Sequence, residues 1–221
     1  MQEALEEDRR FRAGPDAWLV RRFVVPASRF EELGGASVPL AVVIDDVHAR
    51  GWVDDPRVAA VETRSMGFDG ARREVFVEVP TDEEGLAGTL RELSGSGRRA
   101  KVRCGGARVP SVAELAEFIR SCRELRLPFK ATAGLHHPVR AGEGHGFLNV
   151  IAATLFGDEE PALSEEDPAS FGLSAQAFSW RDRSASPEEL TRVRERLFAG
   201  FGSCSAQEPA DELRALGFLS A

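Results

Sequence analysis

Two lysines are the residues of this chain best suited to covalent chemistry. The 221-residue sequence contains only Lys101 and Lys130, against twenty-six arginines. This ratio indicates that arginine takes the place of lysine wherever only charge or solubility matters. Arginine stays protonated, whereas lysine can lose its proton and act as a base or a nucleophile. A retained lysine is therefore a candidate functional residue, and chance survival is the alternative.

Strand alternation places both lysines on one face of a predicted sheet. Successive strand side chains point to opposite faces, so residues two apart share a face. In the segments EVFVEV, AKVRCG and PFKATA, the apolar residues then form the face that packs on helices. The predicted inward set is Glu78, Lys101, Arg103, Lys130 and Thr132. A purely structural charged layer is the alternative explanation.

This inward set predicts carbonyl chemistry. Neighbouring ammonium groups disfavour each other's charge, and burial disfavours it further. An unprotonated Lys130 can attack a carbonyl to form a Schiff base, which acts as an electron sink. Lys101 would tune that amine, and Glu78 or Lys101 would carry protons. With Arg103 and Thr132 as contacts to an anionic small molecule, the prediction is an aldolase- or lyase-like enzyme.

Polar residues also follow the predicted strands, where loops form the active face of a (β/α)-barrel. His136 and His137 follow PFKATA, and His145 lies close to Asn149, the only asparagine. We expect these four residues to contact the substrate, and the alternative for the histidines is that they form hydrogen bonds within the loops. The turn Gly105–Gly106 could offer backbone amides to a phosphate or carboxylate, although paired glycines also form plain turns.

A divalent metal is the alternative cofactor. The loop histidines, together with His48, Asp45, Asp46 or Glu78, could hold such an ion, although no HxH or HExxH spacing is present. A metal-assisted lyase or isomerase is therefore the second enzyme hypothesis. The preferred hypothesis, a lysine-dependent aldolase- or lyase-like enzyme, needs no cofactor.

Composition narrows the partners and the compartment. The net charge of −8 and the absence of a basic stripe argue against nucleic acid or an anionic membrane as the main partner. No apolar run approaches the roughly 20 residues that span a bilayer, and MQEALEEDRRFR is too charged for a signal peptide. Three cysteines without CxxC spacing indicate reduced thiols. We expect a cytoplasmic protein.

The element pattern predicts an α/β fold of the (β/α)8 TIM-barrel-like type. Helix starts are predicted at Thr81, Ser111 and Ser186, each with a glutamate three residues later. One domain over 1–221 is expected, with an inserted loop or hairpin at about 157–185. Seven segments are predicted strands: 19–25, 40–45, 58–64, 74–79, 100–105, 128–133 and 201–205.

A closed barrel of this type has eight strands, so one is missing from the prediction. Either FGLSAQAFSW supplies it, or the first strand lies upstream of residue 1. An unpaired edge would favour a homo-oligomer. It would also favour the third hypothesis, a non-catalytic barrel that binds a ligand or a partner.

Two resemblances bear on these expectations. The stretch AKVRCGG followed by PFKATAGL is similar, over about 40 residues, to the catalytic end of class I deoxyribose-phosphate aldolases. That likeness implies a Schiff-base lysine at Lys130, but Ala131 and Ala133 stand where the family has hydroxyl residues. Over most of its length the chain resembles an uncharacterised bacterial (β/α)-barrel-like family, through FVVPASR, VRCGG, FKATAGLHHPVR, HGFLN and FGSCS. That resemblance implies a further N-terminal strand and no particular activity.

Overall fold

The chain forms two compact units, Met1–Glu78 and Val79–Ala221. The structure is a computed structural model, and it describes residues 1–70, 72–82 and 84–219. Each unit is built on parallel strands. This division into compact units does not test the expected single domain over 1–221, which stays a prediction.

The first unit pairs its strands in the order in which they occur along the chain. Helix α1 (Gln2–Arg12) precedes them, and two 3-10 helices follow it, Ala17–Leu19 and Ala27–Leu33. The strands are β1 (Phe23–Pro26), β2 (Leu40–Val43), β3 (Val58–Thr63) and β4 (Glu74–Glu78). Buried side chains of α1, the second 3-10 helix and the strands form one apolar cluster that includes Leu5, Phe30, Leu40, Val42 and Val61.

The second unit contains three parallel strands in the order β5 (Arg99–Arg103), β6 (Phe129–Thr132) and β10 (Phe198–Gly202). Helices precede, connect and follow these strands. They are α2 (Leu86–Gly95), α3 (Val112–Leu125), α4 (Phe147–Phe156), α5 (Glu159–Leu163), α6 (Pro187–Arg196) and α7 (Gln207–Ala215).

Helix α3 shows how sequence produces this packing. Ser111 accepts a hydrogen bond from the Glu114 amide, and the Glu114 carboxylate accepts one from the Ser111 amide, which confirms the predicted capping box. Leu115, Ile119 and Cys122 recur at helical spacing and are fully buried. These residues form an apolar stripe along the helix, and Phe118 of the same helix contacts Phe129 of β6.

The segment predicted as an insertion holds a separate antiparallel sheet. After the 3-10 helix Pro168–Ser170 come β7 (Phe171–Leu173), β8 (Phe178–Trp180) and β9 (Arg183–Ala185). Among the residues that the structure describes, these strands pair with one another in antiparallel ladders and with no other strand. The segment FGLSAQAFSW therefore does not supply a barrel strand.

The predicted (β/α)8 TIM-barrel-like fold is wrong. That fold needs eight parallel strands, each followed by a helix. The described residues contain seven parallel strands, four in the first unit and three in the second. Within the described part of the first unit, no α-helix connects successive strands. The connections 27–39 and 44–57, and the described residues 64–70 and 72–73, form 3-10 helix, turns and irregular structure instead. Glycines interrupt each of them, and glycine is unfavourable in a helix interior.

The other two predicted helix starts have opposite outcomes. Ser186 caps α6 through a capping box with Glu189, as predicted. The predicted start at Thr81 is wrong, because α2 begins at Leu86 after Gly85, whose φ is +101°. Glycine adopts this left-handed backbone without a steric penalty.

Candidate functional site

Lys101 and Lys130 lie side by side in the second unit. They are direct partners in the parallel ladder of β5 and β6, and Arg103 pairs with Thr132 one step further along. Adjacent strands are about 4.8 Å apart, so the two lysine side chains leave neighbouring points of the same face. Lys101 is only 4% exposed, whereas Lys130 is half-buried. The predicted placement of both lysines on one face is confirmed, and their chemistry stays a prediction.

Apolar packing on the opposite face fixes this orientation. Ala100, Val102, Phe129 and Ala131 are completely buried. The Phe129 ring meets the Phe118 ring of α3 edge-on, with centroids 5.4 Å apart. A slip by one residue would move every side chain to the other face, so burial of this apolar set specifies the register.

A glycine turn follows β5, next to Arg103. A Cβ added to Gly105 would lie 2.7 Å from Gly134 Cα, so the two loop backbones meet closely at this point. A Cβ on Gly106, whose φ is +97°, would lie 2.8 Å from Nη2 of Arg103. The exposed Arg103 guanidinium therefore lies against the Gly106 backbone, at the carboxyl end of the strand.

The loop after Lys130 begins with an unusual backbone conformation. Ala133 has a φ of +59° and Gly134 has a φ of +70°. A left-handed conformation is uncommon for alanine and costs of order 1 kcal/mol, and such residues cluster at functional sites. The strained alanine lies one residue after Thr132, at the carboxyl end of the lysine strand.

Adjacent histidines of this loop meet carboxylates of α7. Nδ1 of His136 lies 3.4 Å from Oε2 of Glu208, and Nδ1 of His137 lies 2.7 Å from Oε1 of Glu212. The two glutamates are four residues apart and so share one helix face. In the described part of the chain, Nε2 of His137 has no hydrogen-bond partner. A carboxylate at Nδ1 orients an imidazole for proton transfer at its other nitrogen.

A cleft of about 310 Å³ lies beside this pair of contacts. His137 and Glu212 line it together with Arg140 and Glu166, and the remaining walls are mostly apolar. Nε of Arg140 lies 3.6 Å from Oε1 of Glu166. The cleft therefore holds one imidazole–carboxylate pair and one guanidinium–carboxylate pair.

His145 and Asn149 are held by the protein itself. Nε2 of His145 lies 2.8 Å from the Pro110 carbonyl oxygen, to which it donates. Burial lowers the pKa of His145 below its ordinary value, and nearby Arg140 lowers it further, while the Pro110 contact raises it. Asn149 Oδ1 accepts from the Arg140 amide, and Nδ2 donates to the carbonyls of Ala162 and Glu165. Both side chains thus position the loop.

The remaining predicted residues lie in the first unit. Glu78 ends β4, with its Oε1 3.1 Å from Nε of Arg64. His48 is exposed, and its amide donates to Oδ1 of Asp46. Asp45 accepts from the Ser28 hydroxyl and amide, which lower its pKa.

Sequence reasoning missed a buried carboxylate in the first unit. Glu62 on β3 is only 2% exposed and pairs in register with Phe76 of β4. Its signal was a single carboxylate within the otherwise uncharged strand VAAVET, two residues after Ala60 and so on the same face. A buried carboxylate is uncommon unless it is paired, so the residue is a structural or functional candidate.

The candidates for metal and thiol chemistry are dispersed. Among the described residues, no three His, Cys, Asp or Glu side chains cluster closely enough to hold a metal ion. Burial raises the pKa of Cys104 to about 12 and also raises that of Cys122. Both thiols are therefore poor nucleophiles, whereas Cys204 is exposed after β10.

The chain matches no protein-family model, no curated protein and no solved structure. The two resemblances found in its motifs therefore stay predictions. None of the helices in the described ranges is both long and apolar enough to cross a bilayer.

Proposed function

We propose that the second unit carries an imine-forming lysine site of the aldolase or lyase type, acting on a small carbonyl compound with an anionic group. The observation that carries the proposal is the direct pairing of Lys101 with Lys130. These are the only lysines of the chain, and they occupy adjacent points on one face. Surface charge alone would be served equally well by arginine, which this chain uses elsewhere.

Lys130 is the nucleophile of the proposed reaction. Its amine adds to the carbonyl carbon, the oxygen leaves as water, and a protonated imine remains. In a β-hydroxy carbonyl substrate, the bond between the α carbon and the hydroxyl-bearing β carbon then breaks, and its electrons move toward the imine to give an enamine. The β hydroxyl loses its proton, and the β carbon leaves as the carbonyl carbon of a new compound. Protonation of the enamine carbon and hydrolysis by water regenerate the amine.

Lys101 and Arg103 have supporting roles in the proposal. Lys101 is the register partner of Lys130 on the same face and is 4% exposed, so its amine can pass protons to and from the groups formed at Lys130. Arg103 lies one pair further along the same face, where its guanidinium can bind a carboxylate or phosphate. Thr132 is its register partner, and its hydroxyl donates to the Val102 carbonyl 3.4 Å away. In the proposal this hydroxyl turns to donate to the anionic group when the substrate binds.

The deciding experiment is reductive trapping. Wild-type protein is incubated with borohydride and a panel of aldehydes, ketones and 2-oxo acids, and intact mass and peptide mapping then locate the adduct. We expect an adduct on Lys130. Lys130→Arg should fold and lose the adduct, and turnover of any substrate found should fall by at least about 10³-fold, as expected for loss of a covalent nucleophile.

Lys101→Arg is the matched control, because it changes the other lysine of the pair in the same way. We expect this variant to fold and to keep some trapping, because Lys130 is still present as the nucleophile. If wild-type protein gives no adduct across the panel, or if Lys130→Arg leaves turnover intact, the imine mechanism is wrong and Lys130 belongs to a charged structural layer.

The same screen separates the two other hypotheses. A metal-assisted lyase or isomerase would show turnover that chelator abolishes and divalent metal restores, without a lysine adduct. A protein that only binds its ligand would show a ligand-dependent rise in Tm with neither adduct nor turnover.

A further inference from the structure

Strand β10, which pairs with the lysine strand β6, presents glycines on the face where Lys130 lies. In the ladder between β10 and β6, Gly200 pairs with Lys130 and Gly202 pairs with Thr132. Register partners in a ladder point to the same face. Two consecutive positions of this face on β10 are therefore occupied by glycine.

A register shift in β10 produces this arrangement. Phe198 pairs with Phe129, but the next pair is Gly200 with Lys130, so Ala199 is an extra residue in the strand. A bulge of this kind changes which side chains reach each face, and bulges often occur next to active sites. Without the shift, Ala199 would lie opposite Lys130.

Two aromatic contacts hold β10 in this register. The Phe198 and Phe129 ring centroids are 5.2 Å apart on the apolar face. Phe201 stacks on Phe147 of α4, with centroids 4.6 Å apart and planes at 7°. Because both phenylalanines of β10 are packed in this way, the glycines between and after them face the lysine side.

The space beside these glycines is open. A Cβ added to Gly200 would meet no atom within 4 Å, and one added to Gly202 would meet only Thr132, at 3.4 Å from Cγ2. The two glycines are about 6–7 Å apart along the strand. This length matches a short carbon chain lying beside the lysine.

We infer that Gly200 and Gly202 form one wall of the site at Lys130, and that their missing side chains leave the room in which the carbon chain of the substrate lies. A side chain at either position would therefore shorten the longest chain that the site accepts. The inference rests on the proposed function. Arg103 lies on the other side of β6, across Thr132 from Gly202. The site therefore takes a carbonyl compound with its anionic group toward β5 and its carbon chain along β10.

The test uses reductive trapping with 2-oxo acids of increasing length: glyoxylate, pyruvate, 2-oxobutanoate and 2-oxopentanoate. Gly202→Val adds bulk at the proposed wall. We expect its yield of adduct with 2-oxopentanoate, relative to glyoxylate, to fall roughly 10-fold or more compared with wild type, since one misfitting carbon group typically changes selectivity by this factor. Gly202→Ala should give a smaller change in the same direction.

Gly88→Ala in α2 is the matched control, because a Cβ there also meets no atom within 4 Å and lies outside the proposed wall. Its chain-length profile should equal that of wild type. If Lys130 forms an adduct but both Gly202 variants keep the wild-type preference among chain lengths, this inference is wrong and the proposed function stands. If wild-type protein forms no adduct on Lys130, both the proposed function and the inference about Gly200 and Gly202 are wrong. If Gly202→Val does not fold, Gly202→Ala decides the matter.

Discussion

The two units connect parallel strands in different ways. In the second unit, helices with capping boxes at Ser111 and Ser186 join the strands. In the first, irregular connections are held by arginine. Arg57 donates to the carbonyls of Gly34 and Ala36 and pairs with Asp55. A loop leaves backbone carbonyls that need donors, and a guanidinium supplies five.

This difference changes the meaning of the arginine excess. Arg73 repeats the pattern of Arg57, because its Nε donates to the Val58 carbonyl 3.1 Å away and its Nη2 donates to the Val53 carbonyl. Arginine in the first unit therefore does work that lysine, with its single nitrogen, could not do equally well. The rarity of lysine alone is weaker evidence for function than its position on β5 and β6.

The largest effect is expected from the aromatic core of the second unit. Phe129→Ala removes a fully buried ring that contacts Phe118 and Phe198, and should lower the free energy of unfolding by about 3–5 kcal/mol. Hydrogen exchange should show the greatest loss of protection in β5, β6 and β10. Leu40→Ala, which truncates a fully buried side chain in the first unit, is the counterpart and should cost about 2–5 kcal/mol, with protection lost in β1–β3.

Equal loss of protection in both units for each variant would show that they unfold as one cooperative body. The division into two compact units would then have no thermodynamic meaning. Denaturant unfolding followed by hydrogen exchange decides between these outcomes.

A smaller effect is expected from the arginine contacts of the first unit. Arg57→Ala leaves the carbonyls of Gly34 and Ala36 without this donor, and should lower the free energy of unfolding by about 1–3 kcal/mol. Arg57→Lys should recover only part of that loss. Arg50→Ala is the control, because Arg50 is exposed and has no hydrogen bond or ion pair among the described residues. Equal Tm values for the Arg57 and Arg50 variants would contradict the role given to arginine.

The smallest effect concerns histidine burial. The folded state lowers the pKa of His145 chiefly by burial, so the unfolded imidazole takes up a proton first as the pH falls below about 6.5. Stability should therefore decline below that pH and level off once the folded imidazole is also protonated. His145→Gln should remove this part of the pH dependence in denaturant titrations. His48→Gln, at an exposed histidine of the first unit, should leave it unchanged.

Local patterns were predictable from the sequence, and long-range pairings were not. The lysine face of β5 and β6 follows from the period of two, and the caps at Ser111 and Ser186 follow from local hydrogen bonding. Thr81 has the same cap spacing, yet its helix starts at Leu86, because Gly85 supplies the turn. A hydroxyl residue three positions before a glutamate therefore does not by itself show that a capping hydrogen bond forms.

The candidate site was only partly predictable for the same reason. Strand order and register join distant segments, so the pairing of Gly200 with Lys130 depends on a shift at Ala199 that no local pattern marks. The contacts of His136 and His137 with α7 likewise join residues more than seventy positions apart. The missing helices of the first unit were misjudged because the barrel expectation assumed that every crossover repeats the helical pattern of α3.

The extra residue at Ala199 also bears on how such a site could change during evolution. Deleting it would keep Gly200 opposite Lys130 and Gly202 opposite Thr132, because the ladder already steps over Ala199. A slip that placed Ala199 opposite Lys130 would instead bring Phe201 opposite Thr132 on the lysine face and turn Gly200 toward the apolar face. Relatives that lack one residue before FGSCS should therefore keep the open site, whereas relatives in which the strand takes up the extra residue should fill it with a phenylalanine ring.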